Sequence, residues 1–116
     1  MSMLNELNQL GADTQDGLNR FMNKAALYEK MLKKFPAAAK AQESLSFLEA
    51  GDIETAIAHV HTLKGMTGNL SLTPLFTAYT EILGLLRAGE TARAKELLVK
   101  TLPIQEKIIA CIENAG

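Results

Sequence analysis

Two histidines, one lysine and two glycines lie close together in one segment of the chain. Residues 59 to 70 read HVHTLKGMTGNL, and the apolar residues of this stretch have helical spacing. A glycine inside a helix costs roughly 0.8–1 kcal/mol relative to alanine, so a purely structural helix gains little from two of them. Imidazole offers a neutral nucleophilic nitrogen near neutral pH, and lysine offers a positive charge. Together they suit the acceptance of an anionic group.

The helical rotation of about 100° per residue sorts these residues by direction. One flank of the helix carries four of them: His61, Lys64, Gly65 and Gly68. His59 projects roughly 160° away from His61, so the two imidazoles form a poor metal site. Phosphoryl transfer requires in-line access to a nucleophile and positive charge near the equatorial oxygens, which this flank offers. On spacing alone, a histidine at the edge of the core, a solvated lysine and close helix packing at the glycines remain an equal alternative.

The helix that carries this segment is predicted from about Ile53 to Leu70. Asp52 is its expected N-cap, and Gly51 is expected to end the helix before it. The apolar positions form one stripe that must face a core: Ile53, Ala56, Val60, Leu63, Thr67 and Leu70. The flank with His61 lies beside that stripe and is left for solvent or a partner.

Before this helix the sequence predicts shorter helical pieces. A first helix carries Leu4, Leu7 and Leu10 and stops near Gly11. Asp13 or Thr14 is expected to cap a second helix. Asn23 is expected to cap a third, and Pro36 either kinks that helix or starts the next piece, which extends to Ala50.

After the motif helix, two more helices are predicted. Thr73 is expected as an N-cap with Pro74 in the first helical position, and Gly89 ends that helix. Its inward residues are Leu75, Tyr79, Ile82, Leu83 and Leu86. The last helix starts near Thr91, and Pro103 is expected to bend it. Short connections force antiparallel neighbours. We therefore expect an all-α single domain over residues 1–116, an antiparallel up-down four-helix bundle with a short N-terminal helical cap.

Composition narrows the classes of function. The formal net charge is -1, so the chain lacks the global positive field that nucleic-acid binding requires, although a local basic patch remains open. No apolar run is long enough for a membrane span, and we expect a cytoplasmic protein. The single Cys111 has no partner for a disulfide or a zinc site and is expected to pack as a small hydrophobe.

A family resemblance rests on the same stretch. The residues His61-Thr62-Leu63-Lys64-Gly65, continued by Gly68-Asn69-Leu70, resemble the H-x-L-K-G signature of histidine phosphotransfer (HPt) domains of phosphorelays. The likeness extends along nearly the whole chain, through ALYEKMLKKF at 26–35, AGD at 50–52 and AG at 88–89. Many members of that family carry glycine where this chain has Ser71. A left-handed Ser71 would cost on the order of 1 kcal/mol.

The resemblance implies specific roles for the motif residues. His61 is the residue phosphorylated, through Nε2, and Lys64 helps to neutralise the phosphoryl group. Gly65 and Gly68 are the small residues that let a receiver domain dock, with exposed apolar residues nearby on the motif helix and on the helix before it. His59 matches no catalytic position of the motif.

The resemblance also implies the partners. Receiver domains of response regulators and a hybrid sensor histidine kinase would exchange the phosphoryl group with this chain, which is expected to be a monomer and a phosphocarrier, not an autonomous kinase. The chain needs no cofactor, since the divalent metal belongs to the receiver. No nucleic acid or membrane is expected as a partner. The alternatives are a helical adaptor that uses the same face without chemistry and, more remotely, a thiol or metal function of Cys111 or the histidines.

Overall fold

The computed structural model describes residues 2–114, which contain helices and no strand. Seven helices follow one another: α1 (Met3–Gln9), α2 (Thr14–Arg20), α3 (Ala25–Ala39), α4 (Ala41–Glu49), α5 (Ile53–Asn69), α6 (Thr73–Arg87) and α7 (Thr91–Asn114). The all-α prediction is confirmed. No helix in this part of the chain is long and apolar enough to cross a membrane.

The long helices pack in chain order around one core. The most extensive contacts join α5 to α6 and α6 to α7, while α4 contacts both α5 and α7. Helix α3 also lies on α7, and the two short N-terminal helices contact α7 and α3 respectively. The motif helix α5 is therefore covered by α4 and α6 and keeps one face free of other helices.

The buried stripe of α5 agrees with the sequence pattern. Ala56, Val60, Leu63, Thr67 and Leu70 are buried, and Ile53 is half-buried. All five residues expected to point inward from α6 are buried as well: Leu75, Tyr79, Ile82, Leu83 and Leu86. Burial of each valine, leucine or isoleucine in these two sets contributes about 1.5–3 kcal/mol, which fixes the rotation of both helices about their axes.

Several helix ends also agree with the prediction. The Asp13 carboxylate accepts a hydrogen bond from the backbone N–H of Asp16 at 3.1 Å, and that of Asp52 accepts one from Thr55 at 3.3 Å. Gly51 and Gly89 adopt φ angles of 78° and 79° at the ends of α4 and α6, a conformation that favours glycine.

The expected cap at Asn23 is wrong. Asn23 is itself left-handed, with φ 59°, and its N–H donates to the carbonyl of Leu18 at 2.7 Å. That bond closes the C-terminal end of α2, because asparagine tolerates the left-handed region better than most residues. Helix α3 instead begins after Lys24, which makes no side-chain cap bond.

Pro36 does not start a new helix. It lies inside α3, which continues to Ala39, and the break falls at Lys40 with φ 35°. Phe35 and Ala39 are both buried on the core face of α3, and their burial outweighs the backbone donor that proline lacks. Pro103 likewise lies within α7.

The start of α6 lies one residue earlier than predicted. Leu72 is the N-cap, and its carbonyl accepts hydrogen bonds from Leu75 and Phe76, each at 3.0 Å. Thr73 therefore occupies the first helical position, and its hydroxyl donates back to the carbonyl of Ser71 at 3.4 Å. Leu72 is fully buried, which anchors the turn before the helix.

Candidate functional site

His61 lies on the free face of α5 and is exposed to solvent. Within residues 2–114 its ring makes no side-chain hydrogen bond, so both nitrogens are available to a partner. Its neighbours on this face, Ala58 and Thr62, are also exposed. The hydroxyl of Thr62 donates to the carbonyl of Ala58 at 3.2 Å, so it does not reach towards the imidazole.

Gly65 lies one turn beyond His61 on the same face. A Cβ atom built on this glycine would meet nothing within 4 Å. The missing side chain is therefore not needed for packing inside the chain, and the glycine leaves open space beside the imidazole. This observation disfavours the packing explanation of Gly65 that the sequence left open.

Lys64 is half-buried and lies one turn from His61 and one turn before Gly68, the position against which Phe76 of α6 lies. Residues three apart on a helix have Cβ atoms about 5–6 Å apart. Within the described part of the chain, no carboxylate lies within ion-pair distance of its ammonium group. The stem of Lys64 is thus packed while its charge is available to an anion near His61.

Gly68 has a different environment from Gly65. A Cβ on Gly68 would lie 2.9 Å from Cδ1 of Phe76, which is closer than packed atoms allow. The glycine therefore lets the ring of Phe76, the fourth residue of α6, lie against α5. The ring remains 37% exposed and provides a flat apolar surface beside the motif.

The exposed apolar residue Phe76 lies on a helix other than those expected. The expectation placed exposed apolar residues on the motif helix and on the helix before it. The large apolar side chains of the preceding helix α4, Leu45 and Phe47, are half-buried, whereas Phe76 belongs to the helix that follows. The sequence alone did not single out Phe76. Its only sequence signal is an aromatic residue on the outer side of a strongly patterned helix.

His59 has a structural environment. The ring is half-buried, its Nδ1 is hydrogen-bonded to the hydroxyl of the fully buried Ser44, and it lies edge-on to Phe47 with ring centroids 5.8 Å apart. His59 therefore joins α5 to α4. The two histidines are not brought together, and the part of the chain from 2 to 114 contains no cluster of three metal-ligating side chains.

Ser71, at the end of the motif helix, adopts the left-handed conformation with φ 55°. Its hydroxyl donates to the Asp16 carboxylate at 2.6 Å, and Asp16 is also paired with Arg20 at 2.8 Å. The hydrogen bond from Ser71, followed by that from Arg20, lowers the pKa of Asp16 below its ordinary value. A contact with α2 thus stabilises a residue in a conformation that favours glycine.

Two further hydrogen bonds hold the same turn. The hydroxyl of Tyr28 donates to the carbonyl of Leu70 at 2.6 Å, and the N–H of Asp13 donates to the carbonyl of Ser71 at 3.0 Å. Burial, with the nearby charges of Asp13 and Asp16, raises the pKa of Tyr28 to about 12, so the phenol stays a donor. The C-terminal end of α5 is thereby fixed to α2 and α3.

Cys111 lies away from this site. The thiol is half-buried, 3.6 Å from a carboxylate oxygen of Glu6, and burial followed by that carboxylate raises its pKa. A thiol held in its neutral form is a weak nucleophile. The prediction that Cys111 packs as a small hydrophobe fits this position between α7 and α1.

Comparisons of the chain with models of known families, with curated proteins and with solved structures gave no significant match.

Proposed function

We propose that the protein is a histidine phosphotransfer domain, in which His61 accepts a phosphoryl group from a receiver-domain aspartate and passes it to another receiver. The observation that carries the proposal is the difference between the two histidines. His61 is exposed beside the open space at Gly65, whereas His59 is bonded to Ser44. Only His61 offers the in-line access that phosphoryl transfer requires.

The reaction balances without a further reactant. A lone pair on Nε2 of His61 attacks the phosphorus of the aspartyl phosphate, an N–P bond forms, and the P–O bond to the aspartate breaks. The aspartate leaves as a carboxylate, and the ring proton stays on Nδ1. The ammonium of Lys64 offsets negative charge on the phosphoryl oxygens, and the divalent ion of the reaction belongs to the receiver.

As part of the same proposal, we describe the all-helical architecture as a four-helix bundle with an N-terminal cap. Helices α4 to α7 follow one another with short connections and contact their neighbours in turn, as in an up-down four-helix bundle. In this description α3 extends the α4 side of the bundle, and α1 with α2 forms the N-terminal cap. The cap supports the turn at Ser71, which ends the helix that carries His61.

The test is transfer of label from a ³²P-phosphorylated receiver domain, assayed across a panel of receivers. We expect acid-labile label on the wild-type chain and none on His61→Gln. The matched control is His59→Gln, which changes the same residue type two positions away and should remain labelled.

The outcomes separate the proposal from its main alternative. If His61→Gln still accepts label, or if no receiver labels the folded wild-type chain, the phosphocarrier proposal is wrong. If instead a receiver binds wild type and His61→Gln equally without transfer, the protein is an adaptor that uses the same face.

A further inference from the structure

The charges of the chain are strongly segregated. Residues 20–40 contain six basic residues and one acidic residue, a formal charge of +5, whereas the rest of the chain contains six basic and twelve acidic residues, a charge of -6. The overall value of -1 conceals this division. The local basic patch that the composition left open therefore lies on α3 and its flanks.

Three lysines of α3 share one exposed face. Lys30, Lys33 and Lys34 are separated by three and four positions, which places them on one side of a helix. None of them forms an ion pair within the described residues. Glu29 lies near Lys30 and Lys33, and Glu113 lies near Lys33, so the repulsion is relieved only in part. The remaining positive charge favours an external anionic partner.

An apolar groove borders this lysine face on the side of Lys34. Lys30 and Lys33 lie farther round α3, next to residues of α1 and α7. The groove has a volume of about 560 Å³, lies between α2, α3 and α5, and has Arg20 and Lys34 among its lining residues. Its apolar lining includes Phe21, Met31, Phe35 and Met66. Most of the exposed surface of this groove is apolar, so it would bury hydrophobic side chains of a partner whose charged groups meet the lysines.

The groove continues the face that carries His61. Asn69 lines it and lies eight residues after His61 on the same helix, about 12 Å along the axis at 1.5 Å per residue. Gly65 lies between them on the free face. A single partner surface of ordinary size, about 800 Å² on each protein, would cover both His61 and the groove.

We propose that the lysine face and this groove form the specificity surface for an acidic protein partner, whose apolar side chains enter the groove and whose carboxylates meet Lys30, Lys33 and Lys34. The proposal rests on the phosphotransfer function and identifies the charge of the receiver that this chain prefers. The -6 charge of the remaining residues would repel an extended polyanion, so a protein with a local acidic patch is favoured over a nucleic acid or an anionic membrane.

The test measures kcat/KM for phosphoryl transfer from the receiver that labels His61, at low and high salt. The variant is K30E/K33E/K34E, and the control is K95E/K100E/K107E on α7, which changes the net charge equally. The control also breaks the exposed ion pairs of Lys95 with Glu49 and of Lys100 with Glu96, so the Tm of both variants is compared. We expect the α3 variant to lose at least about tenfold at low salt and the control to stay near wild type. High salt should shrink the difference because it screens the charges. Ala38→Trp, which fills the groove without altering charge, should also slow transfer.

The possible outcomes distinguish failure of the specificity surface from failure of the phosphotransfer function. If the α3 variant transfers at the wild-type rate with the same salt dependence, the specificity surface is elsewhere while the phosphotransfer function stands. If no receiver labels wild type, both proposals fail together. If the lysine variant loses binding to duplex DNA or to phosphatidylserine vesicles while transfer is unchanged, the lysine face binds polyanions and the protein-partner proposal is wrong. Circular dichroism and Tm establish that both triple variants are folded.

Discussion

His59 and His61 are only two residues apart in sequence, yet they lie on different sides of α5 and in opposite environments. On one side His61 is exposed and Gly65 faces open space, whereas on the other His59 is bonded to a buried serine and packed against an aromatic ring. The difference shows that residue type alone does not identify a reactive group. Access decides it, and access is set by which face of α5 the neighbouring helices cover.

The largest expected effect is on phosphoryl transfer, when the open space at Gly65 is filled by a large side chain. Gly65→Trp would place an indole beside His61 and block the approach of a receiver, so phosphoryl transfer should fall on the order of 100-fold or more. The added Cβ causes no clash, because it meets no neighbouring atom, and Tm checks that the variant is folded. Ala92→Trp at the exposed start of α7 is the control. Wild-type transfer by Gly65→Trp would remove the argument from access.

Truncation of the two histidines should affect different properties. Truncation of His59 should lower the stability, whereas truncation of His61 should abolish transfer and leave the stability nearly unchanged. His59→Ala leaves the buried hydroxyl of Ser44 without its partner, and we expect a loss of about 1–3 kcal/mol. His61→Ala removes an exposed ring and should change stability by less than about 0.5 kcal/mol. Urea unfolding followed by circular dichroism measures both, and equal losses would contradict the structural assignment of His59.

Alanine substitution of the two glycines, Gly65 and Gly68, should change the stability by different and smaller amounts. Gly65→Ala should stabilise the helix by roughly 0.8–1 kcal/mol, which raises Tm by roughly 4 °C in a domain of this size. Gly68→Ala should lose that gain, since its Cβ meets the ring of Phe76 at 2.9 Å. In a Phe76→Ala background the Gly68→Ala change should become stabilising. Equal Tm shifts for the two single variants would show that the ring moves away without cost.

The smallest expected effect concerns pH. The hydrogen bond from Ser71 lowers the pKa of Asp16 in the folded protein, so the unfolded chain binds more protons in acid. The resulting stability is present above the ordinary pKa of aspartate, near 3.8, and is lost as pH falls through the lowered value. Ser71→Ala should raise the pKa of Asp16 and flatten the acid part of the Tm-against-pH curve. Carboxyl NMR titration measures this, with Arg20→Gln as the comparison that removes the hydrogen bond and the charge of Arg20 and keeps the bond from Ser71. An unchanged pKa of Asp16 in Ser71→Ala would contradict the assignment.

The sequence predicted the helices and their buried faces well, because periodicity reports burial directly. The stripe on α5 and the inward residues of α6 are examples, and so are the local caps at Asp13 and Asp52. The predictions that were wrong concern the N-caps at Asn23 and Thr73. At Asn23 the local preference was outweighed by a turn that closes α2. For Pro36 the sequence left two alternatives open, and the structure has the proline inside α3, with buried residues on both sides of it.

The details of the site depended on contacts between distant residues. Asp16 and Ser71 are 55 positions apart, and Ser44 and His59 belong to different helices. Phe76 lies against Gly68 only because α5 and α6 pack side by side. A single sequence contains no record of such pairs, so the motif could be located while its supports could not.

The hydrogen bonds at the end of α5 also determine which N-terminal residues a fragment of this domain must keep in order to be transplanted. Ser71 is buried, and its hydroxyl and carbonyl are bonded to Asp16 and Asp13, which precede α3. A fragment starting at α3 would keep the five helices α3 to α7 and the whole motif, yet it would leave a left-handed serine without the residues that stabilise it. For grafting into another signalling protein, the transferable unit therefore has to include α2 with its N-cap Asp13.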